Sequence, residues 1–150
     1  MTPKFAVVNG PNLNWLGKRE KAVYGTETWQ EIWEGLLEWA KEKRVTLAFF
    51  QSNHEGDLID HLQKIDTEVD GILFNPAAYG HTSIALRDCV ASLDIAVVEV
   101  HLSKIQKREP FRHHSTIADV AEASLAGFGP KGYILGLELL KTIYDRTQQR

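Results

Sequence analysis

The chain has one cysteine, Cys89, in 150 residues. No internal disulfide framework is available, and a reducing, cytoplasmic setting is expected. No apolar run approaches the length of a membrane span, and the opening residues Met1, Thr2, Pro3 and Lys4 lack the apolar core of a secretory signal. A membrane partner is therefore not expected. Positive charge is not in excess either. Seventeen Lys and Arg against 20 Asp and Glu leave a net charge of −3, which argues against a nucleic-acid partner. Repeats, low-complexity segments and linkers are absent, and the length fits a single catalytic domain over residues 1–150 with a substantial core. There is no Gly-x-Ser-x-Gly elbow and no His-Glu-x-x-His. The pairs His54-Glu55 and His113-His114 lack ligand spacing, so no metal site is expected.

What is present is an alternation of strand and helix patterns. Residues 5–8 form a short apolar strand that stops at Asn9-Gly10-Pro11-Asn12, where Gly and Pro cannot continue a ladder. A long polar loop follows, carrying Asn12, Arg19 and Tyr24 with no apolar period to explain them. Thr28 and Glu31 make a capping-box pattern, after which Trp29, Ile32, Trp33, Leu36, Leu37 and Ala40 recur at helical spacing to about Lys43. Trp39 lies off that stripe, which predicts a half-exposed side chain or a subunit contact. Strands follow at residues 45–50, 71–74 and 95–100, with a weak fifth at 123–126. Helices carry Leu58, Ile59, Leu62 and Ile65, then Leu86, Cys89, Val90 and Leu93, and finally residues 133–144. In the helix after residue 83, Arg87 and Asp88 face outward. This order predicts an α/β fold, a flavodoxin-like doubly wound sheet of five parallel strands with helices on both faces. The first and third strands would be adjacent, which brings the loops 12–24 and 75–83 into one crevice beside the end of the fourth strand.

The residues converging there have usable chemistry. His81 precedes Thr82-Ser83 at a helix start, where backbone N–H groups favour an anion. Ser103 and the backbone after His101 offer a second small anion cradle. Glu99 and His101 alternate along a strand and so face the same side. A carboxylate beside an imidazole fixes its tautomer and raises its basicity, which suits a general acid; the alternative is a satisfied structural pair. Arg108 and Arg112 could clamp polar or carboxylate groups, or form a solvated surface pair. A cation such as Arg19 beside Tyr24 would stabilise its phenolate, and a tyrosinate can remove a proton alpha to a carbonyl.

The residues Asn9-Gly10-Pro11-Asn12-Leu13-Asn14, Leu16-Gly17, Arg19-Glu20 and Tyr24-Gly25 resemble the opening signature of type II 3-dehydroquinate dehydratases. The resemblance continues through Gln51-Ser52-Asn53, Glu55-Gly56, Asn75-Pro76, His81-Thr82-Ser83 and Arg87-Asp88. It ends with Glu99-Val100-His101, Ser103, Arg108-Glu109-Pro110-Phe111-Arg112, Gly127, Gly129, Gly132 and Tyr133, and so spans nearly the whole chain in order. It implies a lyase of aromatic amino acid biosynthesis, in the shikimate pathway, that removes water from 3-dehydroquinate to give 3-dehydroshikimate. The reaction would be an anti elimination through an enolate, with no metal, cofactor or lysine Schiff base. By matching position, Tyr24 would be the base, Arg19 its activator and Arg108 close by. Asn12 would hold an enolate-stabilising water, and His101, oriented by Glu99, would protonate the departing hydroxyl. Asn75 and the N–H groups of Leu102 and Ser103 would hold the substrate carboxylate, with His81 and Arg112 on its hydroxyls. The resemblance also implies a homo-oligomer, trimers packed into dodecamers, in which Asp88 reaches a neighbouring subunit's site. The loop through Arg19 and Tyr24 would close as a lid.

Four positions depart from that pattern. Ala77 stands where glycine is usual, which predicts restricted access to positive φ, and Gly80 for threonine would return freedom three residues later. Lys21 replaces proline and would loosen the lid; Ser92 replaces an acidic residue. The rival reading is a nucleotide- or flavin-binding module of the same fold, since Gly127, Gly129 and Gly132 match dinucleotide-loop spacing. They follow the last strand rather than the first, which favours a simple turn into the last helix.

Overall fold

The computed structural model describes residues 2–18 and 21–150. Five strands form one parallel sheet: β1 (Lys4–Asn9), β2 (Thr46–Gln51), β3 (Gly71–Asn75), β4 (Val97–His101) and β5 (Ala123–Ala126), in the order β2-β1-β3-β4-β5. The helices are α1 (Lys21–Tyr24), α2 (Trp29–Lys43), α3 (Glu55–Ile65), α4 (Ile84–Ser92) and α5 (Lys131–Gln148). This is the flavodoxin-like order the sequence predicts. β1 lies beside β3 in register Asn9 to Asn75, so the two chain reversals that follow them open side by side.

The period-2 alternation of a strand separates two cores. Phe5, Val7, Leu73, Val98 and Val100 pack with Leu36, Trp39, Ala40, Tyr133, Leu137 and Leu140 from α2 and α5. Ala6, Val8, Ile72, Phe74 and Val97 pack on the other face with Leu58, Leu62, Leu86, Cys89 and Val90 from α3 and α4. Each fully buried aliphatic or aromatic side chain contributes roughly 1.5–3 kcal/mol against chain entropy. The same parity sends Asn9 and Asn75 toward α5, and Glu99 and His101 toward α4. Gly10 allows the reversal after β1: its N–H donates to Asn75 O at 2.7 Å, and a Cβ there would sit 2.5 Å from Pro76 O.

Local signals hold with some shifts. Thr28 caps α2 by accepting from the Glu31 N–H at 3.2 Å, and Ser83 caps α4 by accepting from Leu86 N–H at 2.9 Å. β4 begins two residues later than expected, because the N–H groups of Asp94 and Ile95 are held by Asp66 Oδ1 rather than by a ladder. α5 runs past residue 144 to Gln148. Two side chains of α2 differ from the expected stripe. Trp39 is buried, not half-exposed, and its Nε1–H donates to Glu138 Oε1 at 2.7 Å. Leu37 is exposed instead. Trp29 and Trp33 lean onto Phe49 of β2, with ring centroids 4.8 and 5.3 Å away. The inward face therefore centres on Ile32, Leu36, Trp39 and Ala40. No helix among the described residues is long and apolar enough to cross a membrane.

Candidate active site

The carboxyl ends of β1, β3 and β4 open into one cavity of about 110 Å³. It gathers Asn12, Tyr24, Asn75, His81, His101, Leu102, Ser103, Arg108 and Arg112, nine of the residues expected from sequence. Glu99 lies behind His101. Arg19 lies outside the described residues. Asp88 is not in this cavity: it is exposed on α4, in a surface groove with Ile59, Gln63, Asp66 and Cys89. Its neighbour Arg87 is half-buried rather than outward, donating to Thr116 O at 2.9 Å and pairing with Asp119.

On one wall stands a carboxylate–imidazole pair. Glu99 is fully buried, and His101 Nε2 lies 2.8 Å from its Oε2. Burial alone would raise the Glu99 carboxyl, but hydrogen bonds from His101, Ser115 and Ser124, with the His101 charge, outweigh it and hold the group below the usual range. An ionised carboxylate only accepts, so His101 Nε2 carries the proton and Nδ1 is left to serve the cavity. The His81 ring stacks 5.6 Å from the His101 ring. His81 Nδ1 lies 2.9 Å from the carbonyl of His114, which also only accepts, so Nδ1–H donates and Nε2 remains an acceptor. Burial, aided by the charges of His101 and Arg112, lowers the His81 pKa below its ordinary value.

Tyr24, at the end of α1, lines a second wall of the cavity. Arg108 Nη1 donates to its phenol oxygen at 2.7 Å and to Ser103 Oγ at 3.4 Å, and the guanidinium lies 5.2 Å from the Tyr24 ring centroid. Arg108 is itself only 13% exposed and is steered by Glu109 at 3.7 Å. Arg112 is held to the same Glu109 at 3.2 Å, so the two arginines are a braced pair rather than a solvated one.

The floor is a buried polar chain. Tyr133 Oη donates to Asn9 Oδ1 at 2.8 Å and accepts from Asn75 Nδ2 at 2.9 Å. Burial pushes the Tyr133 phenol far up, so it keeps its proton as a fixed donor. Asn75 Oδ1 then accepts the N–H of Ala77 at 3.0 Å. Ala77 adopts φ +52°, the left-handed conformation the sequence argument expected alanine to resist. Gly80 is not among the positive-φ residues; it supplies space, since a Cβ there would lie 2.8 Å from Pro76 Cγ and 3.1 Å from His101 Cε1.

Asn12 also sits at positive φ, +70°, and its N–H donates to Asn53 Oδ1 at 2.9 Å. Gln51 Nε2 supports that amide at 3.1 Å, and Tyr79 Oη donates to the Asn53 carbonyl at 2.8 Å. The Gln51-Ser52-Asn53 run, which had no assigned role, thus holds the loop after β1. The glycine loop before α5 does not present its N–H groups to a phosphate: those of Gly127 and Gly129 donate to the carbonyls of His101 and Leu102 at 3.4 and 3.0 Å. This removes the physical basis for the dinucleotide reading.

Comparison with known proteins agrees with this geometry. The family model described as dehydroquinase class II matches residues 3–141. A 3-dehydroquinate dehydratase of Bacillus pumilus is 51% identical over 138 residues, covering 92% of this chain and 94% of that protein. The corresponding Bacillus subtilis protein is 47% identical over 138 residues, covering 92% and 93%. The crystal structure of a type II dehydroquinase from Butyrivibrio crossotus superimposes with a TM-score of 0.91 at 43% identity, covering 93% of this chain and 98% of the other. The chain belongs to the class II dehydroquinase family.

Proposed function

We propose that this hydro-lyase dehydrates 3-dehydroquinate to 3-dehydroshikimate, with Tyr24 as base and His101 as acid. The observation that carries the reading is the presence of two proton-handling groups in one cavity: a phenol oxygen receiving a hydrogen bond from Arg108, and an imidazole backed by Glu99. Arg108 sets a positive hydrogen-bond donor against the phenol oxygen that, as tyrosinate, would take the proton alpha to the ketone. The resulting enolate oxygen would be met by a water held at Asn12, a preorganised charge-stabilising device. His101, carrying a second proton on Nδ1, gives that proton to the departing hydroxyl as the enolate collapses, so that water leaves, the conjugated enone forms, and the ring is left neutral with its proton on Nε2.

The remaining residues fit binding roles. Asn75 and the N–H groups of Leu102 and Ser103 would take the carboxylate. His81, neutral with Nε2 as acceptor, would receive a substrate hydroxyl proton, and Arg112 would take a hydroxyl oxygen. Arg19 would complete the cation set around Tyr24 from the lid. We place Asp88 at the site of a neighbouring subunit, in trimers assembled to a dodecamer, which accounts for its exposed position on α4; the enzyme would work in the cytoplasm.

The assay is direct. Purified protein given 3-dehydroquinate should develop the absorbance of the conjugated enone, before and after EDTA and exhaustive dialysis. Borohydride with substrate should neither inactivate it nor leave an adduct. Folded protein that forms no enone, or a trapped lysine adduct, overturns the reading.

A further inference from the structure

Behind the His101–Glu99 pair, two serines from outside the cavity complete the coordination of the carboxylate. Glu99 Oε2 accepts from Ser115 Oγ at 2.5 Å as well as from His101, and Oε1 accepts from Ser124 Oγ at 2.6 Å. The Ser115 hydroxyl cannot turn away. Its oxygen accepts the N–H groups of Ile117 and Ala118, both at 3.1 Å, so its one proton points to Glu99. Ser124 stands on β5, at the edge of the sheet, and lines a surface groove that adjoins the cavity at Ile105. A carboxylate with no solvent exposure is thus bound by three donors, none of them a full-time cation.

We propose that Ser115 and Ser124 are positioning residues that keep Glu99 ionised and thereby fix where the protons of the His101 ring lie. The proposal rests on the reading of His101 as the general acid. With the clamp in place, the proton between the two groups belongs to Nε2, and a second proton taken up by the pair goes to Nδ1, facing the substrate. Without it, the carboxylate competes for that proton: Glu99 becomes a neutral acid donating to Nε2, and the ring stays an uncharged imidazole with Nδ1–H, a far poorer acid.

The other charged and titratable groups around the pair are His81 on the turn after β3, Tyr24 from α1, and Arg108 and Arg112 across the cavity. Beyond Ser115 lie His113, His114 and the Arg87–Asp119 pair, and Tyr133 of α5 packs on the other face of the sheet. β3 and β5 contribute no ionisable side chain. None of these groups touches the Glu99 oxygens among the described residues, so a change made at Ser124 reads on Glu99 first.

The test uses the intact, ligand-free protein with ¹⁵N-labelled histidine, comparing wild type, Ser124→Ala and Ser124→Thr. Ser124 is exposed, so removing its hydroxyl or adding a methyl opens no core cavity. In Ser124→Ala, the pH at which the pair takes up its proton should rise by about one unit, the size expected for losing one hydrogen bond to a charged group. At intermediate pH an Nε2 resonance without its proton should appear. Ser124→Thr, which keeps the hydroxyl, should restore both. In the dehydration assay, kcat for Ser124→Ala should fall about tenfold at the same pH with KM unchanged, and Thr should rescue it. Identical ring-nitrogen titrations in all three proteins would overturn the clamp even if the enzyme is active. A wild type that fails to dehydrate 3-dehydroquinate would sink the functional reading instead, leaving the titration result to stand.

Discussion

The two walls of the cavity are built differently. His101 stands at the end of a central strand, backed by a buried carboxylate that itself has three donors, and Asn75 beside it is anchored by Tyr133. Tyr24 ends a four-residue helix whose neighbours Ala22, Val23 and the stretch 25–28 are exposed, and its phenol oxygen takes the Arg108 donor from a separate segment. Segments with few buried contacts and exposed backbone open at low free-energy cost, whereas buried hydrogen-bonded networks do not. The difference suggests a division of labour. On the roles proposed above, the acid wall is fixed in the fold, and the base wall, where Arg108 already donates to Tyr24 Oη, rests on a segment able to open for a substrate ring and close over it. Water exclusion and base activation would then occur together.

The largest effect should come from the base wall. Tyr24→Phe keeps the ring over the Arg108 guanidinium and removes only the ionisable oxygen. Turnover should fall by about 10²–10⁴-fold, the usual contribution of a general base, while thermal unfolding is unchanged because the segment is exposed. Near-normal turnover would break the comparison at its root. A change in the buried floor beside the acid wall should instead be felt in stability. Tyr133→Phe leaves the Asn9 and Asn75 amides without their shared partner in a fully buried place. A loss of about 1–3 kcal/mol in denaturant unfolding is expected, with a raised KM as Asn75 loses its anchor. A stability change below about 0.5 kcal/mol would show that the floor is not preorganised by this phenol.

The smallest effect sharpens the same contrast. Ala77 holds a left-handed conformation that costs roughly 1–2 kcal/mol, retained because its N–H is fixed by Asn75. Ala77→Gly should relieve that strain, less the entropy glycine adds to the unfolded chain, for a net gain of about 0.5–1 kcal/mol. That corresponds to a rise of about 2 °C in melting temperature, with kcat within about twofold. Destabilisation on introducing glycine would mean that the loop is not strained in solution.

How much of this was legible in the sequence follows from how locally each feature is determined. β1, β3 and β4 are short apolar runs buried on both faces, and their order with amphipathic helices fixes the sheet and places the loops at its switch point. Glu99 and His101 were readable as a pair because two residues along a strand share a face. Trp39 was not, because its burial depends on Glu138 from α5, 99 positions away, receiving the indole N–H. Ser115 and Ser124 were missed for the same reason: isolated serines in a polar segment and on an edge strand carry no periodic signal, and only the sheet brings them to Glu99. The Ala77 and Gly80 departures were visible, but their effect was misassigned. The backbone holds the left-handed turn at alanine, and the glycine gives room to the His101 ring.

The division of labour between the walls is tested most directly by separating proton abstraction from loss of the hydroxyl. With 3-dehydroquinate in deuterated buffer, exchange of the alpha proton reports the base step alone. His101→Ala should abolish enone formation yet still exchange that proton at a measurable rate, because the Tyr24–Arg108 wall is untouched. Tyr24→Phe should lose exchange and enone together. Exchange that survives in Tyr24→Phe, or disappears with His101→Ala while the protein stays folded, would contradict the assignment of the base to one wall and the acid to the other.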